Sequence, residues 1–291
     1  MSEAAAGAVI VISSHVMRGS VGNRAAVFAL ETLGFTVWAV PTVLMPWHPG
    51  HGRSTRMAID PDTFDAMLGE LAVSPWAGEV RAVLSGYLGN AQQVEAVARL
   101  VETLKTRNPH LIYACDPVIG DRGDLYVPEP VASGIRDRLL PLAGLATPNR
   151  FELSWLSNAA LDSNAAILDA ALALGPSRML VTSAIAMMNG STGNLYLSGH
   201  HALLAEHRLV DNPPNGTGDL MAALFLGRLL EGKSEEKALQ LATASVFEMV
   251  ARSARRGADE LTLQQDAHCL TGPMSLVQMR RLMHPSQTRR R

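Results

Sequence analysis

Six short runs rich in branched apolar residues recur along the chain, at 8–12, 36–40, 80–85, 111–116, 144–147 and 178–182. Segments with helical spacing separate them, at 23–33, 61–74, 90–108, 130–140, 152–156 and 164–174. Parallel strands need long crossovers, and helices supply them, so this alternation predicts βαβ units around a central, mainly parallel sheet. A hairpin-like piece follows at 188–199, with turn pairs at Asn189–Gly190 and Gly193–Asn194, and then two helices at 218–230 and 234–252. No repeat or linker interrupts the pattern. One domain is expected over 1–291, with about 1–7 and 284–291 as tails.

In open parallel sheets ligands bind beyond the carboxyl ends of the strands. Polar groups collect there: Ser13, Ser14 and His15 after the first strand, Ser85, Gly86 and Tyr87 after the third, Asp116 after the fourth. Thr147, Pro148 and Asn149 follow the fifth, and Thr182 and Ser183 the sixth. One sheet edge thus holds most of the candidate chemistry.

Two phosphate-binding signals lie close together, "NGTGD" at 215–219 and "GRLLEGKS" at 227–234. The second fits a Walker A pattern, but that loop needs a preceding strand, and "LMAALFL" before Gly227 reads as a buried helix. Gly232 then suits a left-handed helix end, and Ser234 an N-cap with Glu235 and Glu236 behind it. A helix–turn–helix corner is expected. "NGTGD" has the opposite context. Pro213 and Pro214 break the chain, Gly216 and Gly218 permit close ligand approach, and a long helix begins there whose N–H groups face the loop. Asp219 is either a base for a substrate hydroxyl or a helix cap. A helix N-terminus should lower its pKa, which a loose phosphoryl-transfer transition state tolerates. Glu152 reads equally as a first-turn acid on a solvated helix, and Thr182 and Ser183 as a strand-end turn.

Bulk properties exclude several classes. Hydrophobic residues make up 47% and charged residues 18%, enough for a large core. A net charge of -2 gives no ground for nucleic-acid binding, and the basic end "MHPSQTRRR" reads as a solvated tail. "AAAGAVIVI" is too short to cross a bilayer. Cys115 and Cys269 sit in no CxxC pair and no metal-type histidine spacing, so no zinc site is expected. Few cysteines and no leader pattern point to a reducing cytoplasm.

Five ordered segments carry a resemblance: "SSHVMRGSVGNRAA", "VLSGYLGNAQQ", "CDPVIGDRGDLYVPE", "LATPNRFELSWLS" and "NGTGDLMAAL". Over about residues 9–254 the chain resembles the pyridoxal kinases of the ribokinase-like superfamily. The resemblance implies a three-layer α/β/α fold and a homodimer. It also implies ATP-dependent phosphorylation of the 5′-hydroxyl of pyridoxal, pyridoxine or pyridoxamine, with Mg²⁺ and a monovalent cation, K⁺ or Na⁺. By the same resemblance Asp219 is the general base, and Gly216, Thr217 and Gly218 form the anion hole. "NRFE" at 149–152 resembles the superfamily NxxE motif. Glu152 would then orient magnesium through water, Asn149 would make phosphate-side contacts, Asp116 would be the second carboxylate, and Thr147 would line the monovalent site. Thr182 and Ser183 would contact ATP phosphates, and Tyr126 would lie on the loop over ATP. Ser14 would bond the pyridine ring, with Val21, Val43 and Tyr87 as substrate walls. His15 is expected to shape its loop and Cys115 to be a buried strand residue.

The loop at 43–54 departs from this pattern. Many pyridoxal kinases carry H-T-x-Y there, whereas this chain has His48-Pro49-Gly50-His51, and proline offers neither a hydroxyl nor an N–H. Two alternatives therefore stay open: a related kinase for another hydroxymethyl or sugar acceptor, or a non-catalytic ligand-binding homologue. Hydroxymethylpyrimidine phosphate kinases commonly end the motif in Cys, and this chain ends it in Asp219.

Overall fold

The computed structural model describes residues 7–121 and 123–288. A ten-stranded sheet crosses the molecule. Its strands are β1 (Ala8–Val16), β2 (Thr36–Met45), β3 (Met57–Ala58), β4 (Val80–Ser85) and β5 (Ile112–Cys115), then, after a small two-stranded β6 (Gly120–Asp121) and β7 (Asp124–Leu125), β8 (Leu145–Ala146), β9 (Arg178–Ala184), β10 (Ser191–Ser198), β11 (Ala202–Arg208) and β12 (Gln278–Arg281). The order is β12-β11-β10-β9-β8-β5-β4-β1-β2-β3. Pairing is parallel from β2 through β9 and antiparallel at both margins.

Alternation along β1 separates the two covering layers. Ile10 and Ile12 join the core beneath α2 (Pro61–Val73), α3 (Ala91–Arg107), α4 (Glu129–Gly134), α5 (Arg150–Ser157) and α6 (Asn164–Leu174). Val9 and Val11 join the opposite core beneath α1 (Asn23–Thr32), α7 (Thr217–Leu230), α8 (Glu235–Arg255) and α9 (His268–Thr271). A side-chain period of two sends neighbours to opposite faces, so each central strand has to be apolar throughout. The result is the expected three-layer α/β/α arrangement. Helix α7 is buried almost all round, which explains its unbroken apolar run "LMAALFL". Full burial of a side chain such as Phe225 contributes about 1.5–3 kcal/mol.

Several boundaries differ from the sequence expectation. β2 continues through Pro41 to Met45, because the β1–β2 register shifts there and a proline is tolerated at an irregularity. The expected helix at 130–140 breaks into α4, a wider turn at Ile135–Leu139 and a tight turn at Leu140–Leu142 that contains Pro141. Gly193 and Asn194 are not a turn. They lie within β10, where Gly193 is packed so tightly that a Cβ would stand 2.7 Å from Leu204 Cδ1. The expected turn at Asn189–Gly190 is present between the antiparallel β9 and β10, a second hairpin joins β10 to β11, and β12 adds an edge strand with no counterpart in the sequence reading. Of the tail expected over 284–291, His284 is buried with Nε2 2.8 Å from the Ser198 carbonyl, and Pro285–Thr288 forms α10. Residues 1–6 and 289–291, including the terminal arginines, lie outside the described residues. Among the described residues no helix is long and apolar enough to cross a membrane.

Candidate active site

The two phosphate-binding signals separate cleanly in three dimensions. Gly227 lies inside α7, where a Cβ would stand 2.6 Å from Leu33 Cδ1, so this glycine lets α1 and α7 approach. Gly232 ends the helix at φ +76, and Ser234 Oγ accepts the Lys237 N–H at 3.3 Å as the N-cap of α8. Buried Arg228 donates to the Leu270 carbonyl at 2.5 Å and pairs with Glu231 at 2.9 Å. "GRLLEGKS" is thus a packed corner.

Gly216 takes a left-handed conformation, φ 90, and is the N-cap of α7. Its backbone runs against Ser20, where a Cβ would meet the Ser20 carbonyl oxygen at 2.0 Å, so only glycine fits. Asp219 lies in the first turn, three residues after the N-cap. The backbone N–H groups of Gly22 and of Asp219 itself point at its carboxylate. These bonds and the helix end favour the ion, but burial outweighs them and pushes its pKa up to about 6. The lowering expected from the helix N-terminus is overturned by desolvation.

Two more buried carboxylates follow in a chain, Asp116 feeling the charge of Asp219 and Glu152 that of Asp116. Asp116, at the end of β5, accepts the Thr147 hydroxyl at 2.8 Å and is raised to about 8 by burial and then by the charge of Asp219. Glu152 is buried, which corrects the reading of a solvated first-turn acid. It forms a capping box with Asn149. Asn149 Oδ1 accepts the Glu152 N–H at 2.9 Å, and Glu152 Oε2 accepts the Asn149 N–H at 2.8 Å. Glu152 Oε1 also takes the Ile119 N–H at 3.0 Å. Burial and then repulsion from Asp116 hold its pKa well above the usual carboxylate range, against these N–H bonds. Both ends of the Asn149 amide are engaged, the Nδ2 on the Gly120 carbonyl at 2.9 Å.

A cleft of about 170 Å³ opens on one side of the Gly216 turn. Thr182, Ser183, Thr217 and Gly218 line it, as the sequence suggested, and Ser183 adopts φ 54, a strained value for a residue with a side chain. The sequence reading missed the rest of the wall, including His207, Phe247 and Val250, because β11 and α8 carry no motif there. His207 stacks on Phe247 with ring centroids 4.7 Å apart. Tyr126 is 55% exposed and does not line this cleft.

On the other side Val21, Val43 and Tyr87 come together with Val16 and Met45 in one small apolar cluster. Ser14 lies against Gly22, where a Cβ would stand 2.4 Å from Ser14 Oγ. Ser13 Oγ accepts the Tyr87 N–H at 3.1 Å, and a Cβ on Gly86 would lie 2.6 Å from that oxygen and 3.9 Å from Asp219 Oδ1. Gly22 is a contact that sequence reasoning did not single out, whereas Ser13 was among the polar groups noted after the first strand. The only signal for Gly22 was a glycine just before a helix. His15 is half-buried beside this loop, and burial and then Arg24 lower its pKa. Cys115 is buried in β5 with its thiol pushed up to about 12 by burial, which makes it a poor nucleophile. In the loop at 43–54, Pro49 opens a short turn, and His48 Nδ1 accepts the Gly50 N–H at 3.0 Å. Away from this edge, donor atoms of Glu248, His268 and Cys269 lie within 4.8 Å of one another, a proximity the sequence spacing did not show. Glu248 there is already engaged by Arg252 and by the N–H groups of Met274 and Ser275.

Comparison with known proteins agrees with this fold. The phosphomethylpyrimidine kinase family matches residues 19–264. A pyridoxal kinase PdxY of Rubrobacter xylanophilus is 36% identical over 94% of this chain and 97% of its own length. One from Leifsonia xyli is 34% identical over 91% and 96%. The chain belongs to the pyridoxal kinase family. The pyridoxal kinase of Leishmania donovani, solved in complex with ADP and pyridoxamine, superposes with a TM-score of 0.89 at 27% identity, over 95% of this chain and all of that one. The same enzyme with ADP and pyridoxine gives 0.88. Membership makes the chain a ribokinase-like α/β kinase.

Proposed function

We propose that this enzyme transfers the γ-phosphoryl of ATP to the 5′-hydroxyl of pyridoxal, or of pyridoxine or pyridoxamine, giving pyridoxal 5′-phosphate or the matching ester in vitamin B6 salvage. The observation that carries the reading is the place of Asp219. It follows Thr217 and Gly218, which line the cleft with Thr182 and Ser183, and its carboxylate lies near Gly86, next to Tyr87 of the apolar cluster that also holds Val21 and Val43. Related pyridoxal kinases crystallised with ADP and B6 vitamers support that assignment of the two sides.

Asp219 takes the proton of the acceptor hydroxyl as the oxygen attacks the γ-phosphorus. A carboxylate with a pKa near 6 is mostly ionised at neutral pH yet a better base than a free one. The N–H groups of Gly216, Thr217 and Gly218, at the positive end of α7, face the charge that develops on the transferred group. Ser14 bonds the pyridine ring, Thr182 and Ser183 serve the nucleotide side, and Tyr126, outside the cleft wall, lies on the segment assigned to cover ATP. Asn149 acts by holding Glu152, since its amide is already bonded.

Magnesium fits the residues present. Asp116 and Glu152 are buried carboxylates that repel each other, and no lysine or arginine contributes to the shift of either. An all-oxygen donor set of this kind suits Mg²⁺ with retained waters, and Thr147 beside Asp116 suits a monovalent cation, K⁺ or Na⁺. Bound there, the divalent ion supplies charge neutralisation for the ATP phosphates. A cytoplasmic homodimer of one domain completes the reading. Pro49 favours one alternative, a different hydroxymethyl acceptor, because it removes a hydroxyl from the acceptor loop.

The deciding experiment is ADP formation with Mg·ATP and each B6 vitamer, comparing wild type with Asp219→Asn. Turnover of pyridoxal that drops by about 10²–10⁴ in the variant supports the assignment. A folded wild type that binds Mg·ATP and turns over no vitamer sinks it, and hydroxymethyl pyrimidines and sugars become the acceptors to screen.

A further inference from the structure

Glu260 belongs to none of the motifs above, yet its carboxylate joins three loops at the acceptor side. It lies after α8. Oε2 accepts the backbone N–H of Ser20 at 3.0 Å in the loop between β1 and α1. Oε1 lies 2.8 Å from His51 Nε2, in the short turn Pro49–His51 after β2. The approach is close enough that a Cβ on Gly19 would stand 2.6 Å from Oε1, and the side chain is only 14% exposed. Its neighbours grip the same loop: Leu261 accepts the Ser20 hydroxyl at 2.9 Å, and Asp259 pairs with Arg18 at 2.7 Å.

What this clasp holds is the backing of the catalytic turn. The Ser20 carbonyl is the surface against which Gly216 closes. Two residues further on, the Gly22 N–H points at Asp219. On the other arm, the turn carrying His51 brings Gly50 against the same turn, where a Cβ would lie 3.0 Å from Asn215 Nδ2. This arm lies in the loop at 43–54, where the chain departs from its family.

We propose that Glu260 is a positioning residue that couples the acceptor loop to the catalytic turn. Through Ser20 it sets Gly216 and Gly22 around Asp219, and through His51 it holds the Pro49 turn over the acceptor. The inference rests on the kinase reading above for its kinetic arm and on the loop contacts alone for its structural arm. The residues lining the nucleotide cleft include none of those in the clasp.

The test uses three variants, Glu260→Ala, Glu260→Gln and His51→Ala. It reads pyridoxal kinetics at saturating Mg·ATP, the equilibrium Kd for Mg·ATP, and amide hydrogen exchange. His51→Ala should raise the KM for pyridoxal about 5- to 10-fold with kcat within about twofold. Glu260→Ala should raise KM and also lower kcat about tenfold, because the base and anion hole shift with Ser20. Glu260→Gln keeps an oxygen for the Ser20 N–H and should recover kcat toward wild type. The Kd for Mg·ATP should stay within about twofold throughout. Exchange should quicken in 18–22 and 48–54 of Glu260→Ala and stay unchanged in the sheet and in α7 beyond its first turn. Unchanged exchange in both loops overturns the clasp whatever the activity, and so does a matching loss of Mg·ATP affinity. If Glu260→Ala does not fold, the KM-only effect of His51→Ala and the recovered kcat of Glu260→Gln decide the matter. A wild type that turns over no pyridoxal refutes the kinase reading, and the exchange result then decides the clasp on its own.

Discussion

The backbone N–H of Gly22 is aimed at the carboxylate of Asp219, so the loop after β1 and the first turn of α7 meet at the candidate base. Gly22 adopts φ 57 and ψ -132, and a Cβ there would stand 2.3 Å from the Ser14 carbonyl oxygen. A side chain is excluded by both backbone and space. Gly22→Ala should cost about 1–3 kcal/mol of stability and lower kcat more than it raises the KM for ATP. Thermal melts beside steady-state kinetics check this, and a variant with normal kcat would separate Gly22 from the chemistry.

The raised pKa of Asp219 sets a pH profile. A base acts only when ionised, and its pKa is about 6. The kcat/KM for the acceptor should therefore fall about tenfold for each pH unit below that value and level off above it. In Asp219→Asn this limb should vanish along with most of the rate. A wild-type profile flat to pH 5 would remove Asp219 as the titrating base.

The same shifts cost stability. Asp219 and Asp116 have folded pKa values of about 6 and about 8, both above the free value of 3.8. Between those limits the folded chain holds more protons than the unfolded one. Stability should thus fall as pH rises from about 4 to about 8. Asp116→Asn removes one member of the repelling group. It should raise Tm at pH 8 by about 2–4 °C for each 1 kcal/mol released while lowering activity. Calorimetry without metal, at pH 5 and pH 8, tests the sign.

Magnesium should reverse that cost. A cation that binds only the folded site stabilises it by mass action, about 2.7 kcal/mol at one hundred times its Kd. Tm at pH 8 should climb with Mg²⁺ in the wild type and much less in a chain carrying Asp116→Asn and Glu152→Gln. An equal rise in both would place the ion elsewhere.

Lys233 separates the two phosphate signals. It is exposed in the corner after α7, with its N–H on the Arg228 carbonyl at 3.1 Å. Lys233→Ala should leave kcat and the KM for ATP within about twofold, whereas Gly227→Val should destabilise by about 1–3 kcal/mol through overpacking against Leu33. A large rise in the KM for ATP on Lys233→Ala would contradict the reading of that corner.

What the chain determined locally was legible without a structure. Alternating branched runs and helices specify the parallel sheet, because a strand covered on both faces has to be apolar throughout. Gly216 before a buried helix marks the turn proposed to hold the transferred group, and Gly232 followed by Ser234 marks the packed corner. Each of these depends on neighbours within a few residues. The rest depends on distant ones. Asp116, Glu152 and Asp219 come from three separate segments, so only the fold sets Asp116 against the charge of Asp219 and Glu152 against that of Asp116, and only burial raises a carboxylate that its helix end alone would lower. Pro41 inside β2, the added strand β12 and the grip of Glu260 on Ser20 and His51 are likewise decided by register and close packing between segments far apart in the chain. A sequence pattern records which residues can form an element. Burial and charge at a site are sums over whatever the folded chain brings there, and those sums exist only once it has folded.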